Sequence, residues 1–270
     1  NTYNTAVGYA AGAAMTTGVR NTLIGGLAGD ALNTGNFNVA IGYQTLSTED
    51  AGNYNTAIGY KALSVQDAGD AYNTAVGFQA GEAVTTGVRN TLIGGLAGDA
   101  ITTGGDNVSL GYNSLSSNTI GNSNVAIGKD AMLTNVAADR NVAIGLGSLQ
   151  SMTSATTVDT YNTAIGYAAG TAVTTGVQNT VLGGRALQAN TVGADNVAIG
   201  YQALFTNVDG SRSVAIGTNA LLTQEPSSAT EMYNVAVGYN AGAAVTTGVN
   251  NTLIGAQTGD SLTTGARNTA

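Results

Sequence analysis

Asn38-Val39-Ala40-Ile41-Gly42 is the phrase whose reading decides the fold. It sets large apolar residues at its second and fourth positions, the period-two pattern of a half-buried strand. It closes on glycine, which takes a positive φ without steric cost, so a bend is expected straight after the strand. Working outward, the same phrase recurs along the chain as Asn, Thr or Val, usually Ala, an aliphatic residue and Gly. Copies open at Asn4, Asn21, Asn38, Asn55, Asn73, Asn90, Asn107, Asn124, Asn141, Asn162, Asn179, Asn196, Ser213, Asn234 and Asn251, and another opens at Asn268. Twelve of the fifteen steps are 17 residues; Asn55 to Asn73 is 18, and Asn141 to Asn162 and Ser213 to Asn234 are 21.

A period this regular implies one structural unit per repeat. Seventeen residues are too few for a helical hairpin, which needs roughly 33. A glycine in every repeat also opposes helix. After the bend a second short strand is expected, as at Tyr43–Leu46 or Tyr201–Leu204, with a small third residue. A loop rich in Thr, Asn, Asp and Gly then returns the chain. The predicted fold class is all-β: a parallel β-solenoid, or β-roll, of about fifteen coils of 17 residues. Residues 1–270 read as one continuous repeat domain, an excerpt of a longer fibre. A longer period overlies the short one, since similar segments begin at Tyr3, Tyr72, Tyr161 and Tyr233, as block duplication would produce.

Stacking coils at about 4.8 Å places like residues over like. The asparagines that open the copies, from Asn4 to Asn251, are therefore expected to form a side-chain amide ladder. Ile24, Ile41, Ile58, Ile93, Ile127, Ile144, Ile165, Ile199, Ile216 and Ile254 are expected to form the aliphatic core. Gly8, Gly25, Gly42, Gly59, Gly77 and Gly94 are read as coil bends. The long coils should bulge at 151–161 and 223–233. A 17-residue coil encloses little volume, which leaves apolar residues over at two further columns. Leu46, Leu63, Leu115, Leu149, Leu204 and Leu221 recur at the ninth position; Tyr9, Tyr43, Tyr60, Phe78, Tyr112, Tyr167, Tyr201 and Tyr239 recur at the sixth. Such stripes are interface candidates, so several rods are expected to pack together, three in number; the alternative is that these residues complete each rod's own core.

Composition narrows the chemistry. The chain has 39 Gly, one Pro and no Cys, His or Trp, and its formal net charge is −8. Eight Lys and Arg, spread along the length, make no footprint for nucleic acid. No 18-residue apolar run could insert in a membrane as a helix. Without His or Cys the usual nucleophile pairs are excluded, and no catalytic, cofactor or metal residue is assigned. Glu49-Asp50 and Asp67/Asp70 read as solvated loop carboxylates. Gly25-Gly26 and Gly94-Gly95 lack the Gly-Lys-Ser/Thr of a phosphate loop. Thr pairs such as Thr16-Thr17 and Thr85-Thr86 adjoin Gly and read as turns.

The phrase at Asn38, Asn124, Asn141 and Asn196, and its variant at Ser213–Gly217, resembles the head repeats of YadA-type trimeric autotransporter adhesins. Similar repeats occur in phage tail fibres. The resemblance covers essentially the whole chain. It implies a left-handed parallel β-roll, assembled as a homotrimer and displayed outside a cell or on a virion. It also implies that Val39 and Ile41, or Thr56 and Ile58, point into the roll, and that the repeated face binds host matrix proteins such as collagen, or other surfaces. The family repeat is a little shorter, and Thr often replaces Val here.

The expected role is therefore an extracellular structural or adhesive fibre, not an enzyme. Asp159, Thr160, Glu225 and Glu231 in the long loops are the candidate surface contacts. The expected partners are further copies of the chain and a host surface protein or glycan. Two alternatives are a head-to-tail structural filament without a ligand and a phage tail-fibre shaft.

Overall fold

The computed structural model describes residues 2–226 and 228–270. The chain groups into two compact units, one running to Ala137 and one starting at Ala138. The first contains eight strands: β1 (Thr5–Val7), β2 (Thr22–Ile24), β3 (Val39–Ile41), β4 (Thr56–Ile58), β5 (Thr74–Val76), β6 (Thr91–Ile93), β7 (Val108–Leu110) and β8 (Val125–Ile127). Consecutive strands pair in parallel one repeat apart: Leu23 lies opposite Ala40 and Ile24 opposite Ile41. Ile41 and Ile58 are partners in turn. The 18-residue coil keeps the register, with Thr56 opposite Thr74.

The second unit holds β9 (Ala138–Asp139), β10 (Val142–Ile144), β11 (Val158–Asp159), β12 (Thr163–Ile165), β13 (Thr180–Leu182), β14 (Val197–Ile199), β15 (Gly210–Ser211), β16 (Val214–Ile216), β17 (Thr230–Glu231), β18 (Val235–Val237) and β19 (Thr252–Ile254). Here too the three-residue strands stack in parallel, Ile144 against Ile165 and Ile216 against Val237. The long coils add two short parallel pairs, β11 with β9 and β17 with β15. Their extra length is thus partly absorbed into strand pairing, and the bulge narrows to the segments before β11 and β17; Ser227 lies outside the described residues. The architecture is an all-β parallel solenoid of about fifteen coils of about 17 residues. Among the described residues there is no helix, hence none long and apolar enough to cross a membrane.

The fold corrects the reading of what faces inward. In β3 the middle residue, Ala40, is fully buried, whereas Val39 and Ile41 are only half-buried. The same holds along the column: Ile41, Ile58, Ile127, Ile144, Ile165, Ile199 and Ile216 are half-buried, and Ile24, Ile93 and Ile254 are exposed. None of the ten isoleucines forms the core, and Val39, Ile41, Thr56 and Ile58 point out of the coil. Period two says that alternate residues face opposite ways, not which way is in. The narrow interior decides, because it accepts the phrase's central Ala and rejects its flanking branched side chains.

The interior is completed by the leucines read as a surface stripe. Leu46, Leu63, Leu115, Leu149, Leu204 and Leu221 are all fully buried, so they are core and no interface. Sizes also trade between coils. Where the phrase's central residue is Leu, the ninth position is Gly. A Cβ at Gly98 would come within 2.9 Å of Leu92 Cδ2, and one at Gly81, in the preceding coil, within 2.7 Å of Leu92 Cδ1. Leu23 sits in the same way between Gly12 and Gly29, and Leu253 between Gly242 and Gly259. One leucine therefore fills two coils, the close packing expected of a protein interior.

The second segment of each coil is a turn, not a strand. Gln44 and Leu46 take left-handed φ values of 52° and 48°. Alternate residues so bent turn the chain while still bonding between coils: the Gln44 N–H donates to Gly26 O (3.0 Å) and the Leu46 N–H to Ala62 O (3.3 Å). A non-glycine residue in this region costs on the order of 1 kcal/mol or more, offset here by leucine burial and these bonds. The six bend glycines do carry positive φ, Gly42 at 138°. A Cβ on Gly42 would lie 2.4 Å from Gly59 O, so contact between coils as well as φ demands glycine.

Candidate functional site

The asparagine column runs through the interior edge of each coil. The Asn38 N–H donates to Asn21 Oδ1 (2.9 Å), and the Asn55 N–H to Asn38 Oδ1 (2.9 Å). Meanwhile Asn38 Nδ2 donates to Gly52 O (2.7 Å), closing its own return loop. A side chain such as that of Asn38 thus ties one coil to the next and one loop to its strand. The second unit repeats this from Asn162 to Asn251, as in Asn251 N–H to Asn234 Oδ1 (2.9 Å). At Ser213, which is too short for both roles, the buried Gln224 substitutes. Its Nε2 donates to Ser213 Oγ (3.1 Å) and its Oε1 accepts from Asn234 Nδ2 (2.9 Å). Most of these buried amides are satisfied by the fold itself; among the described residues Asn55 Nδ2 is the member of the column left buried without a partner.

Glu49, read as a solvated loop carboxylate, is buried instead. Its Oε1 accepts from the Gly52 N–H (2.7 Å) and its Oε2 from Gln66 Nε2 (2.9 Å). Burial pushes its pKa above the ordinary glutamate value, against the pull of these hydrogen bonds. The equivalent position in other coils holds Leu32, Ile101, Asn118 or Asn207, all buried. Nothing in the local sequence distinguishes this inward Glu49 from the outward Asp50; only its place in the column does.

The four candidate surface contacts do not form one site. Asp159 is exposed and pairs with Arg140 and with the Tyr161 hydroxyl (2.9 Å). Glu231 is exposed and pairs with Arg212 and Tyr233. Glu225 is half-buried, and its Oε2 accepts from the Val208 N–H (2.7 Å). Thr160 is buried, and its Oγ1 donates to Asn141 Oδ1 (2.7 Å), so it is no surface contact. The strand β11 turns it inward. Beside it a shallow concavity of about 270 Å³ is lined by Thr153, Ala155, Val158, Thr175 and Val177. Among the described residues no titratable side chain lines it. Among the described residues no group of three or more His, Cys, Asp or Glu could hold a metal ion.

What the surface does offer is order. In the first unit two columns of stacked rings flank the outward face of the strands. Phe37, Tyr54 and Tyr72 stack just before their strands at 5.2 and 4.9 Å. Tyr43, Tyr60 and Phe78 stack just after the bend at 5.9 and 5.3 Å. Guanidinium groups join these columns: Arg20 lies over Phe37 at 5.2 Å, and in the second unit Arg185 lies over Tyr167 at 6.0 Å and Arg140 over Tyr161 at 5.9 Å. The column before the strand was missed in the sequence, although aromatic or arginine residues at the repeat's last position signal it. Between the columns run the half-exposed Thr, Val and Ile side chains of the strands. Compared with protein-family models, curated proteins and solved structures, the chain gives no match.

Proposed function

We propose that this chain is a segment of an extracellular fibre, assembled as a homotrimer of left-handed β-rolls, with a structural and surface-attaching role rather than a catalytic one. The observation that carries the reading is the outward face of the strands. Each coil presents a Thr or Val and an aliphatic residue there, in register with the next coil, as Val39 and Ile41 over Thr56 and Ile58. Contiguous apolar surface of this kind is characteristic of an interaction face, and identical rows suit a second and third copy of the same chain. The repeat's resemblance to trimeric adhesin heads agrees, as does a composition without His or Cys. Display outside the cell or on a virion follows from the same resemblance.

Light scattering on the purified chain tests the assembly. Three chains per particle are expected, with Ile41→Asp/Ile58→Asp giving single chains of unchanged β circular dichroism. A monomeric wild-type chain would sink the proposal. Electron microscopy at rising concentration addresses the filament alternative, in which particles lengthen end to end. Binding to collagen-coated and glycan-coated surfaces tests attachment.

A further inference from the structure

The two edges of the outward strand face vary together. One edge is the residue before each opening asparagine, and the other is the residue after each bend glycine. Both lie on the side of the strand's first and third residues, as Tyr54, Thr56, Ile58 and Tyr60 do. All six coils with an aromatic residue at the first edge have one at the second, for instance Phe37 with Tyr43 and Tyr161 with Tyr167. The two coils with Asp there have Tyr, Asp106 with Tyr112 and Asp195 with Tyr201. The four complete coils with Arg there never have a ring: Arg20 and Arg89 go with Gly26 and Gly95, Arg140 with Leu146, and Arg212 with Thr218.

Shared ancestry of the coils does not by itself produce this match. The identical phrase Asn-Val-Ala-Ile-Gly lies between Phe37 and Tyr43, Ser123 and Lys129, Arg140 and Leu146, and Asp195 and Tyr201, so both flanks change where the phrase does not. Contact within one chain does not produce it either. Six steps of extended backbone set the edges roughly 15–20 Å apart. Ring stacks and cation–ring contacts run along an edge, as Tyr54 on Tyr72 and Tyr60 on Phe78, and none among the described residues crosses from one edge to the other. The ion pairs of Asp106 with Arg89 and of Asp195 with Arg212 likewise stay on the first edge.

We propose that the two edges meet between copies of this chain: the first edge of one copy packs on the second edge of its neighbour, each coil against the same coil. The pairs fit one another chemically. Rings meet rings. The Tyr112 and Tyr201 hydroxyls donate to the Asp106 and Asp195 carboxylates of the neighbour. The long arginines, already laid along their own edge over Phe37, Tyr161 and Tyr233, face side chains without rings, which leave them room. Such pairing fixes the arrangement. Unlike edges meet at equal height only when the copies run parallel about an axis along the stacking direction; antiparallel copies would bring like edges together. The inference rests on the homotrimer reading for the presence of a second copy, and adds which residues touch and in what register.

The chain has no cysteine, so disulfide trapping on the full chain tests the contact. Tyr54→Cys and Tyr60→Cys, co-produced on separate chains and oxidised, should give a two-chain band on a denaturing gel, while either variant alone should give none. Within one chain the two positions cannot bridge, since a disulfide needs Cα atoms within about 7 Å. Tyr54→Cys/Tyr60→Cys on one chain should close into a covalent three-chain ring. Both tyrosines are exposed, and β circular dichroism of each variant should match that of wild type. A two-chain band from Tyr54→Cys alone overturns the proposal, because like edges then meet. So does an equal yield from Tyr54→Cys with Tyr112→Cys, three coils and about 14 Å out of register. If scattering finds three chains per particle and no band is trapped, the edge assignment fails and the homotrimer reading stands. A covalent ring that closes at two chains supports the edge assignment and overturns the trimer.

Discussion

Gln66 Nε2 donates to Glu49 Oε2 at 2.9 Å, joining two side chains of successive coils inside the solenoid. Both are buried, and among the described residues no cation pairs with the carboxylate there. Burial is the largest influence on Glu49, and it raises the pKa above 4.5. In the unfolded chain that burial is lost. The folded state therefore holds its proton to higher pH than the unfolded state, and stability from this group is present at low pH and lost as pH rises from about 4.5 through the folded value. Glu49→Gln removes the titration. The melting temperature of the variant minus that of wild type should increase with pH across this window. A difference that stays flat between pH 4 and 7 would show that Glu49 does not titrate abnormally.

Leu92 fills space belonging to two coils, so Leu92→Ala should cost about 2–5 kcal/mol in denaturant unfolding. A second change, Gly98→Leu, recreates the Ala40/Leu46 arrangement of the third coil. It should recover part of the loss but not all of it, because Gly81 is still unfilled. Two losses that simply add would contradict the exchange of volume between coils.

Gly42 and Gly95 are separated by their surroundings. At Gly42 a methyl group meets Gly59 O at 2.4 Å and φ is 138°; at Gly95 the nearest atom is Tyr112 Cδ2 at 3.5 Å and φ is ordinary. Gly42→Ala should destabilise by more than about 2 kcal/mol. Gly95→Ala should stay within about 0.5 kcal/mol of wild type. Thermal unfolding of the two variants side by side checks the contrast.

Asn73 holds three partners: Nδ2 donates to Gly87 O (2.7 Å) and Gln66 Oε1 (2.8 Å), and Oδ1 accepts from the Asn90 N–H (2.8 Å). Asn73→Ala leaves buried groups unpaired and should cost about 1–3 kcal/mol. Hydrogen exchange should quicken at the Asn90 amide before it does at more distant coils. Unchanged protection there would remove the side chain from the ladder.

The repeat made most of the fold legible. Asn38 and Gly42 frame the strand in sequence as they do in space, and coil length follows from the distance between copies. Orientation was not legible, because Val39-Ala40-Ile41 alternates equally well with either face inward. The deciding quantity was interior volume, visible only in the paired choices of Leu92 with Gly98 and Ala40 with Leu46. The turn at Gln44 and Leu46 escaped because neither residue type advertises a left-handed φ. Thr160 escaped because β11 pairs where an open loop was expected.

The shared leucine also bears on how such a gene can change length. A coil that shares its leucine cannot be deleted alone: removing the Gly81 coil would strand half of the Leu92 side chain against a neighbour with no room for it. Where a leucine is shared, the module that has to be kept together is the coil pair, a glycine-bearing donor of space and the leucine that occupies it. Recombination should accordingly preserve such couples, and their junctions should fall outside the 73–106 segment and its counterparts.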